Sequence, residues 1–296
     1  MSEGEFGDGK SQPDREPGWH RHRTGSQAQP GNCTAPAAQA ALTCCPNSQP
    51  PAENSQPHIA HAQQTRENFS MCNRYVTPDQ AAVERYWHVG RQNPPRLWGP
   101  QVHPRGMGPF IRAGDQGREL AVGQWALIPP FAKDAKLPYS TNNARAEELA
   151  QKPTFRQAWA RGQRCIIPAE SFDEPCWESG SNVWWRFRRA DGAPWGLAGL
   201  WNTWVSRDTG EVVESYTMLT LNADTHPLMN RMHKPDPAKP ADAQDKRSVI
   251  PIELADVDQW LNGSQGDAQA LFALPPAAAF DALPLGNPPI FSNCQK

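Results

Sequence analysis

The pattern of hydrophobic and polar residues changes abruptly at residue 71. Before that point Ser, Gln, Pro, Ala, Asn and Gly dominate, and aliphatic side chains other than alanine are almost confined to Leu42 and Ile59. Such a segment cannot bury enough apolar surface to offset the entropy lost on ordering it. We therefore predict that residues 1–70 are a disordered leader and that residues 71–296 form the folded domain.

After residue 71, short hydrophobic runs are separated by Pro, Gly and Asp. Runs rich in β-branched or aromatic residues predict strands, which lie at 109–112, 119–127, 164–168, 183–188, 195–202 and 215–221. Helices are predicted at 147–151, 154–161, 254–262 and 78–88, the last with Thr77 as its cap. Strands outnumber helices and no regular βαβ alternation occurs, so the pattern predicts an α+β fold with a mainly antiparallel sheet.

Composition and charge narrow the class of protein further. A net charge of −2 argues against a strongly basic coat for non-specific nucleic-acid binding, so an anionic partner would be met by local cations. Seven cysteines, an odd number, are typical of free thiols in a reducing compartment. The chain also lacks an apolar run of membrane-spanning length and the pattern of a secretory signal. We expect a soluble, cytoplasmic, nucleoid-associated monomer with no membrane partner.

One group of metal-ligand residue types occurs in the leader, namely Cys33, Cys44, Cys45, His58 and His61. Zinc knuckles usually separate their paired cysteines by two residues, whereas these two are adjacent. We therefore predict no metal site and no cofactor.

Cys72 follows Met71 at the change of composition. If the true start is Met71, aminopeptidases would remove that methionine and leave Cys72 as the first residue. If the leader is a pro-segment, proteolysis would also leave Cys72 as the first residue. A first-position cysteine carries an α-amine with a pKa near 8 beside a thiol with a pKa near 8.5. An aldehyde suits this pair, because the amine can form a Schiff base and the thiol can then close a thiazolidine ring.

Four segments carry a recognisable pattern of chemistry-bearing residues. They are Met71-Cys72-Asn73-Arg74-Tyr75, Thr141-Asn142-Asn143-Ala144-Arg145-Ala146-Glu147, the acidic stretch 164–174 ending in Phe172-Asp173-Glu174, and Pro227-Leu228-Met229-Asn230-Arg231-Met232-His233. In this order and at these separations they resemble the SRAP family, the SOS-response-associated peptidase domain. The resemblance is clear from residue 71 to about residue 262, and it implies a barrel-like β core with short peripheral helices.

The resemblance implies a sensor of abasic sites in single-stranded DNA, which captures the sugar aldehyde as a thiazolidine DNA–protein crosslink. Matched by motif, Cys72 is the nucleophile and Asn143 orients it. Glu174 matches the family's general acid/base, and His233 matches the histidine that helps to open the sugar ring.

Four further residues are predicted to contact DNA. Arg74 and Arg145 match family arginines that hold phosphates, for which guanidinium forks are well suited. From the sequence itself, Phe131 is a candidate for stacking on bases. Arg156 is a candidate for extending the phosphate track, as are Arg161 and Arg164, although each is equally consistent with solvated surface.

Two departures from the family pattern occur near these residues. Asn73 stands where the family often has glycine. Where the family usually has H-D-R-M-P, this chain has His233-Lys234-Pro235-Asp236-Pro237, and the next arginine is Arg247. The surroundings of His233 are therefore expected to differ from those in the family.

Several alternatives stay open at this point. Glu170 and Asp173 compete with Glu174 for the acid/base role, and His226 competes with His233. Cys165 and Cys176 are interpreted as core or structural residues. At the level of function, the alternatives are a cysteine peptidase, including self-cleavage before Cys72, and a single-stranded DNA-binding module with no covalent step.

Overall fold

Two sheets form the framework of the protein, for which a computed structural model describes residues 72–90 and 98–286. The predicted leader and its Cys/His group lie outside the described residues. The first sheet has five strands in the order β12–β8–β7–β1–β2. Their bounds are β1 Arg74–Val76, β2 Gln101–Val102, β7 Ser171–Cys176, β8 Val183–Arg189 and β12 Phe280–Pro284.

The second sheet closes on itself. Its strands are β3 Met107–Gly114, β4 Gly117–Trp125, β5 Asn143–Arg145, β6 Arg164–Ala169, β9 Trp195–Val205, β10 Val212–Asn222 and β11 Arg247–Val249. The path β10–β4–β3–β6–β9 returns to β10, because β9 pairs with β10 from Val205↔Val212 to Gly199↔Met218. Five strands therefore make a barrel, while β11 and β5 attach to β10. The expected barrel-like α+β fold is confirmed.

Most strand pairs are antiparallel, but β10 is an exception. It runs parallel to β4, with Ser215 opposite Gln124, and parallel to β5, with Met218 opposite Asn143. Because β4 and β5 are both parallel to β10, they run in the same direction, and the segment between them must cross back to the start of β5. Asn143 therefore lies beside the middle of β10.

The helices are short and mainly match the prediction. They are α1 Gln80–Tyr86, α2 Pro153–Ala160, α3 Val257–Asn262 and α4 Gln265–Gln269. The predicted helix at 147–151 is only a 3₁₀ turn, Ala146–Glu148. None of the helices that the structure describes is long and apolar enough to span a membrane.

The prediction that Thr77 caps α1 is wrong. Asp79 is the N-cap, and its carboxylate accepts a hydrogen bond from the Ala82 amide at 2.8 Å. Thr77 instead donates its hydroxyl to the Gly99 carbonyl. A side chain caps a helix only when it reaches the second or third amide of the first turn, and Asp79 has that position.

Neighbouring residues of the barrel strands pack into two different hydrophobic clusters. Cluster one contains Ile111, Ile166 and Leu219 and is covered by α1, α2 and α3. Cluster two contains their neighbours, such as Cys165 and Met218, together with side chains of the five-stranded sheet. Because successive strand residues point to opposite faces, β6 is buried at every position. Cluster two surrounds Cys72.

Candidate active site

Cys72 lies immediately before β1 and is fully buried. Its φ of +31° is uncommon for a residue with a side chain, and such backbone strain is often found at functional sites. The Cys72 carbonyl accepts hydrogen bonds from the side-chain amides of Asn143 at 3.3 Å and Asn142 at 3.4 Å. Its backbone nitrogen donates to Glu174 Oε2 at 3.1 Å. Both ends of the residue are thus held.

Glu174 joins Cys72 to His233. The glutamate lies on β7, which pairs with β1, and its carboxylate is 2% exposed. Glu174 Oε2 is 3.1 Å from the Cys72 nitrogen and 3.0 Å from His233 Nε2. One buried carboxylate oxygen therefore contacts both the backbone nitrogen of Cys72 and the imidazole of His233.

Asp173 and Glu170, the two alternatives to Glu174 for the acid/base role, have different surroundings. Asp173 is fully buried and bonds to Arg74 and to Arg186, the latter through Nε at 2.9 Å. Glu170 is exposed. Successive residues of a strand point to opposite faces, so Asp173 and Glu174 cannot both face Cys72.

His233 is held in an unusual backbone conformation. Its φ is +64°, and its amide donates to the Pro175 carbonyl at 2.6 Å. The buried ammonium of Lys246 donates to the carbonyls of Met232 and His233, the latter at 2.7 Å. Burial lowers the pKa of Lys246, while Asp224 acts in the opposite direction. Lys246 therefore fixes the turn that directs the imidazole toward Glu174.

The rival histidine, His226, has a structural environment. Its Nδ1 accepts hydrogen bonds from the amides of Leu228 and Met229 at 3.1 and 3.0 Å, and its Nε2 bonds to the Pro275 carbonyl. Both ring nitrogens are occupied by backbone groups. His226 thus holds the turn that precedes His233.

The Cys72 thiol lies in surroundings that disfavour its ionised form. Burial raises the pKa of the thiol well above its ordinary value, and the negative charges of Glu174 and Asp173 add to the rise. Sγ lies 3.9 Å from the Arg74 carbonyl oxygen. The site therefore holds a neutral thiol beside a nitrogen that already faces a proton acceptor.

The predicted DNA contacts occupy different parts of the molecule. Arg74 pairs with Asp173 next to the site, and Arg145, two residues after Asn143, pairs with Asp245 and with Glu148. Phe131 is 55% exposed in the segment between β4 and β5. Arg156 is exposed on α2, a helix that packs on cluster one rather than on cluster two, which surrounds Cys72.

Arg164 does not extend a phosphate track. Its guanidinium is bonded to the backbone carbonyls of Trp260 and Gly263, and the residue is 4% exposed. Arg161, by contrast, is exposed. Cys165 and Cys176 are buried free cysteines, as expected for core residues.

The structure gives roles to three residues at the site that the sequence analysis did not predict. Asn142 shares the Cys72 carbonyl with Asn143, and its doubled Asn-Asn motif was the available signal. Asp173 was considered only as a rival acid/base, although it anchors two arginines. Lys246 comes 13 residues after His233, and no local motif indicates that the two residues interact.

Comparison with known proteins places these features in a family. Residues 71–287 match the model of the family described as SOS response associated peptidase (SRAP). Since the match covers most of the chain, the protein belongs to this family.

Among its relatives is the abasic site processing protein YoqW of Bacillus subtilis, 33% identical over 168 residues; the match covers 56% of this chain and 66% of that relative's length. The abasic site processing protein HMCES of Xenopus tropicalis is 28% identical over 148 residues, 43% of each chain.

Solved structures support the same fold. A protein of Bordetella bronchiseptica, 38% identical, superposes with a TM-score of 0.63 over 73% of this chain and all of its own. A protein of Bacteroides thetaiotaomicron, 22% identical, has a TM-score of 0.60 over 73% of this chain and 93% of its own, and it is evidence for the fold alone.

Proposed function

We propose that this protein captures abasic sites in single-stranded DNA as a thiazolidine adduct of Cys72. The observation that carries the proposal is the sharing of one Glu174 oxygen between the Cys72 nitrogen and His233 Nε2. The names of the relatives, abasic site processing proteins, support the same class of substrate. The proposal requires that Cys72 carry a free α-amine.

The chemistry begins at the amine. Its lone pair attacks C1′ of the ring-opened sugar aldehyde, and the amine proton passes through Glu174 to the oxygen, giving a carbinolamine. Protonation of that hydroxyl lets water leave and a Schiff base form. The Cys72 sulfur then adds to the same carbon, and the thiol proton ends on the ring nitrogen. One water is released, and no oxidant or reductant is consumed.

The site suits each of these steps. A carboxyl group and an imidazole, here Glu174 and His233, are side chains that can transfer protons in such steps. A thiol with a raised pKa keeps its proton until the Schiff base is present, so the amine reacts first. Asn143 and Asn142 hold the Cys72 carbonyl, which limits rotation of the residue during ring closure.

Arg74 and Arg145 are proposed to hold DNA phosphates. Each is partly exposed and already paired with a carboxylate, Asp173 and Asp245 respectively. The Arg145–Asp245 pair is partly exposed, and such pairs contribute little to stability, so its exchange for phosphate costs little. Asp173 is buried, but it keeps its pair with Arg186 when Arg74 turns to a phosphate. Phe131 and Arg156 remain proposed contacts, the first for a base and the second for the backbone.

The test compares the chain that begins at Met71 with the full chain, each incubated with single-stranded DNA carrying one abasic site. We expect the chain with a free Cys72 amine to give a denaturation-resistant adduct and the Cys72→Ala variant to give none. Mass spectrometry of each N-terminus shows whether the amine is free. An equal yield from wild type and Cys72→Ala would contradict the proposal.

The thiol environment gives no support to a cysteine peptidase. Such an enzyme needs a thiolate, whereas burial and two nearby carboxylates raise the pKa of Cys72. In addition, His233 Nε2 bonds to Glu174.

A further inference from the structure

The segment 234–245, which separates His233 from Lys246, is organised around one side chain. The amide of Gln244 accepts from the Asp236 amide at 2.7 Å and donates to the carbonyls of Asp236, Lys239 and Pro240. Three prolines further restrict the backbone. This segment, called here the Gln244 loop, thus has a defined shape although nearly all of its residues are exposed.

The Gln244 loop forms one wall of a cavity of about 550 Å³. Trp177 also lines the cavity, as do Pro235 and Pro237 of the loop and His233, whose imidazole bonds to Glu174. A volume of this size is within the range of sites that bind small organic groups. An indole and two proline rings offer the flat apolar surfaces that a nucleobase stacks on.

Cations also surround this cavity. Lys239 lines it, Arg231 lines it in a two-point pair with Glu178, and the Lys234 ammonium lies 5.0 Å from the centre of the Trp177 ring. Lys234 is exposed and its stem is flexible, so the ammonium can leave the ring face and meet a phosphate instead. Stacking surfaces beside positively charged side chains are the combination used by proteins that bind single strands.

His233 connects the cavity to the reacting groups. His233 Nε2 and the Cys72 nitrogen contact the same Glu174 oxygen, so a sugar bound at Cys72 would lie beside the entrance to the cavity. In a single strand, the nearest bulky group to that sugar is the base of the adjoining nucleotide.

We propose that the cavity between Trp177 and the Gln244 loop binds the base of one nucleotide adjoining the abasic site. This inference rests on the proposed function and adds a preference for the neighbouring nucleotide. A base stacked on Trp177 would fix the strand direction and bring C1′ toward the Cys72 amine.

The experiment uses three single-stranded probes that carry the same abasic site. The first has normal bases on both sides, and the other two have a base-free, unreactive tetrahydrofuran nucleotide on the 5′ or the 3′ side. For the chain with a free Cys72 amine, we expect one of the two base-free probes to crosslink about tenfold more slowly, as expected when one base–aromatic stack is lost. The other should react like the first.

Variants at Trp177 identify where the base binds. Trp177→Ala is expected to make all three probes react at the slower rate, whereas Trp177→Phe, which keeps a ring, should preserve most of the difference. Equal rates for wild type on all three probes would overturn the inference while leaving the crosslink intact. A one-sided effect that survives Trp177→Ala would also overturn it, and the absence of any adduct would overturn the proposed function and the inference together.

Discussion

The two faces of the five-stranded sheet use the same kind of side chain in opposite ways. On the outer face Asp173 lies between Arg74 and Arg186, which are its direct cross-strand neighbours on β1 and β8. On the inner face the next residue, Glu174, faces the Cys72 nitrogen and the imidazole of His233. Both carboxylates are buried, with Asp173 at 0% and Glu174 at 2% exposure.

This comparison shows how partners decide the role of a buried carboxylate. A carboxylate between two guanidinium groups serves as a structural anchor, because guanidinium groups do not release protons in proteins. A carboxylate between an amine and an imidazole can exchange protons with both. The outer face is therefore expected to support DNA contact and stability, and the inner face the reaction.

The largest effect is expected from Glu174→Gln. Glutamine keeps the shape of the side chain but cannot carry the proton, so the crosslinking rate should fall by about 10²- to 10⁴-fold. Single-turnover adduct formation on denaturing gels measures the rate, and thermal unfolding checks that the variant is folded. A rate close to that of wild type would remove Glu174 from the proposed mechanism.

Asp173→Asn is the matched substitution on the outer face. It leaves Arg74 and Arg186 without their carboxylate, and we expect the free energy of unfolding to fall by about 2 kcal/mol. The loss is moderate because both arginines can reach water, with side chains 28% and 20% exposed. Urea titration measures it. If Asp173→Asn slowed the crosslinking of saturating DNA as much as Glu174→Gln does, the two faces would not differ as described.

Cluster two, the hydrophobic interior next to the inner face, disfavours charged side chains. The dependence of stability on alkaline pH tests this property. Burial raises the pKa values of Cys72, Cys165, Tyr75 and Tyr216. Well below the ordinary pKa of a thiol these groups are protonated in both folded and unfolded chains. Above the ordinary thiol value of 9.0, the unfolded chain releases protons that the folded chain retains, so the free energy of unfolding should fall as pH rises.

The slope of that fall can be assigned with one variant. Each retained proton contributes about 1.4 kcal/mol per pH unit. Cys165→Ala should reduce the slope by about that amount relative to wild type, which denaturant titrations between pH 8 and 10.5 can measure. An unchanged slope would show that Cys165 ionises normally in the folded protein.

The smallest effect is expected from Arg74→Ala. Loss of one phosphate contact should reduce the salt dependence of single-stranded DNA affinity by about 0.7 in a plot of log affinity against log salt. Arg85→Ala is the matched control, because Arg85 is exposed on α1, the helix that packs on cluster one. Fluorescence anisotropy with unreactive DNA measures both. Equal slopes for the two variants would remove Arg74 from the DNA contact.

Prediction from sequence succeeded where local pattern decides structure. All six predicted strands are present, because runs such as 164–168 and 195–202 combine β-branched or aromatic residues with flanking turns. It failed for β7, where Ser171-Phe172-Asp173-Glu174-Pro175-Cys176 has acidic residues and a proline that are depleted in strands. The pairing of β7 with β1 and β8 outweighs that local preference.

The amino-acid sequence alone determined the fold class, six of the twelve strands that the structure describes, the family and the residue types of the site, since these depend on periodicity and on motifs within short segments. Only the tertiary structure decided which of two adjacent carboxylates faces Cys72, how Lys246 holds the His233 turn, and that the Gln244 loop lines a cavity beside Trp177. The physical reason is that these features depend on how separate segments of the chain pack together, which no local pattern specifies. The Cys72–Glu174 bond spans 102 positions. Its existence depends on strand register, and a shift of one residue would have presented Asp173 instead.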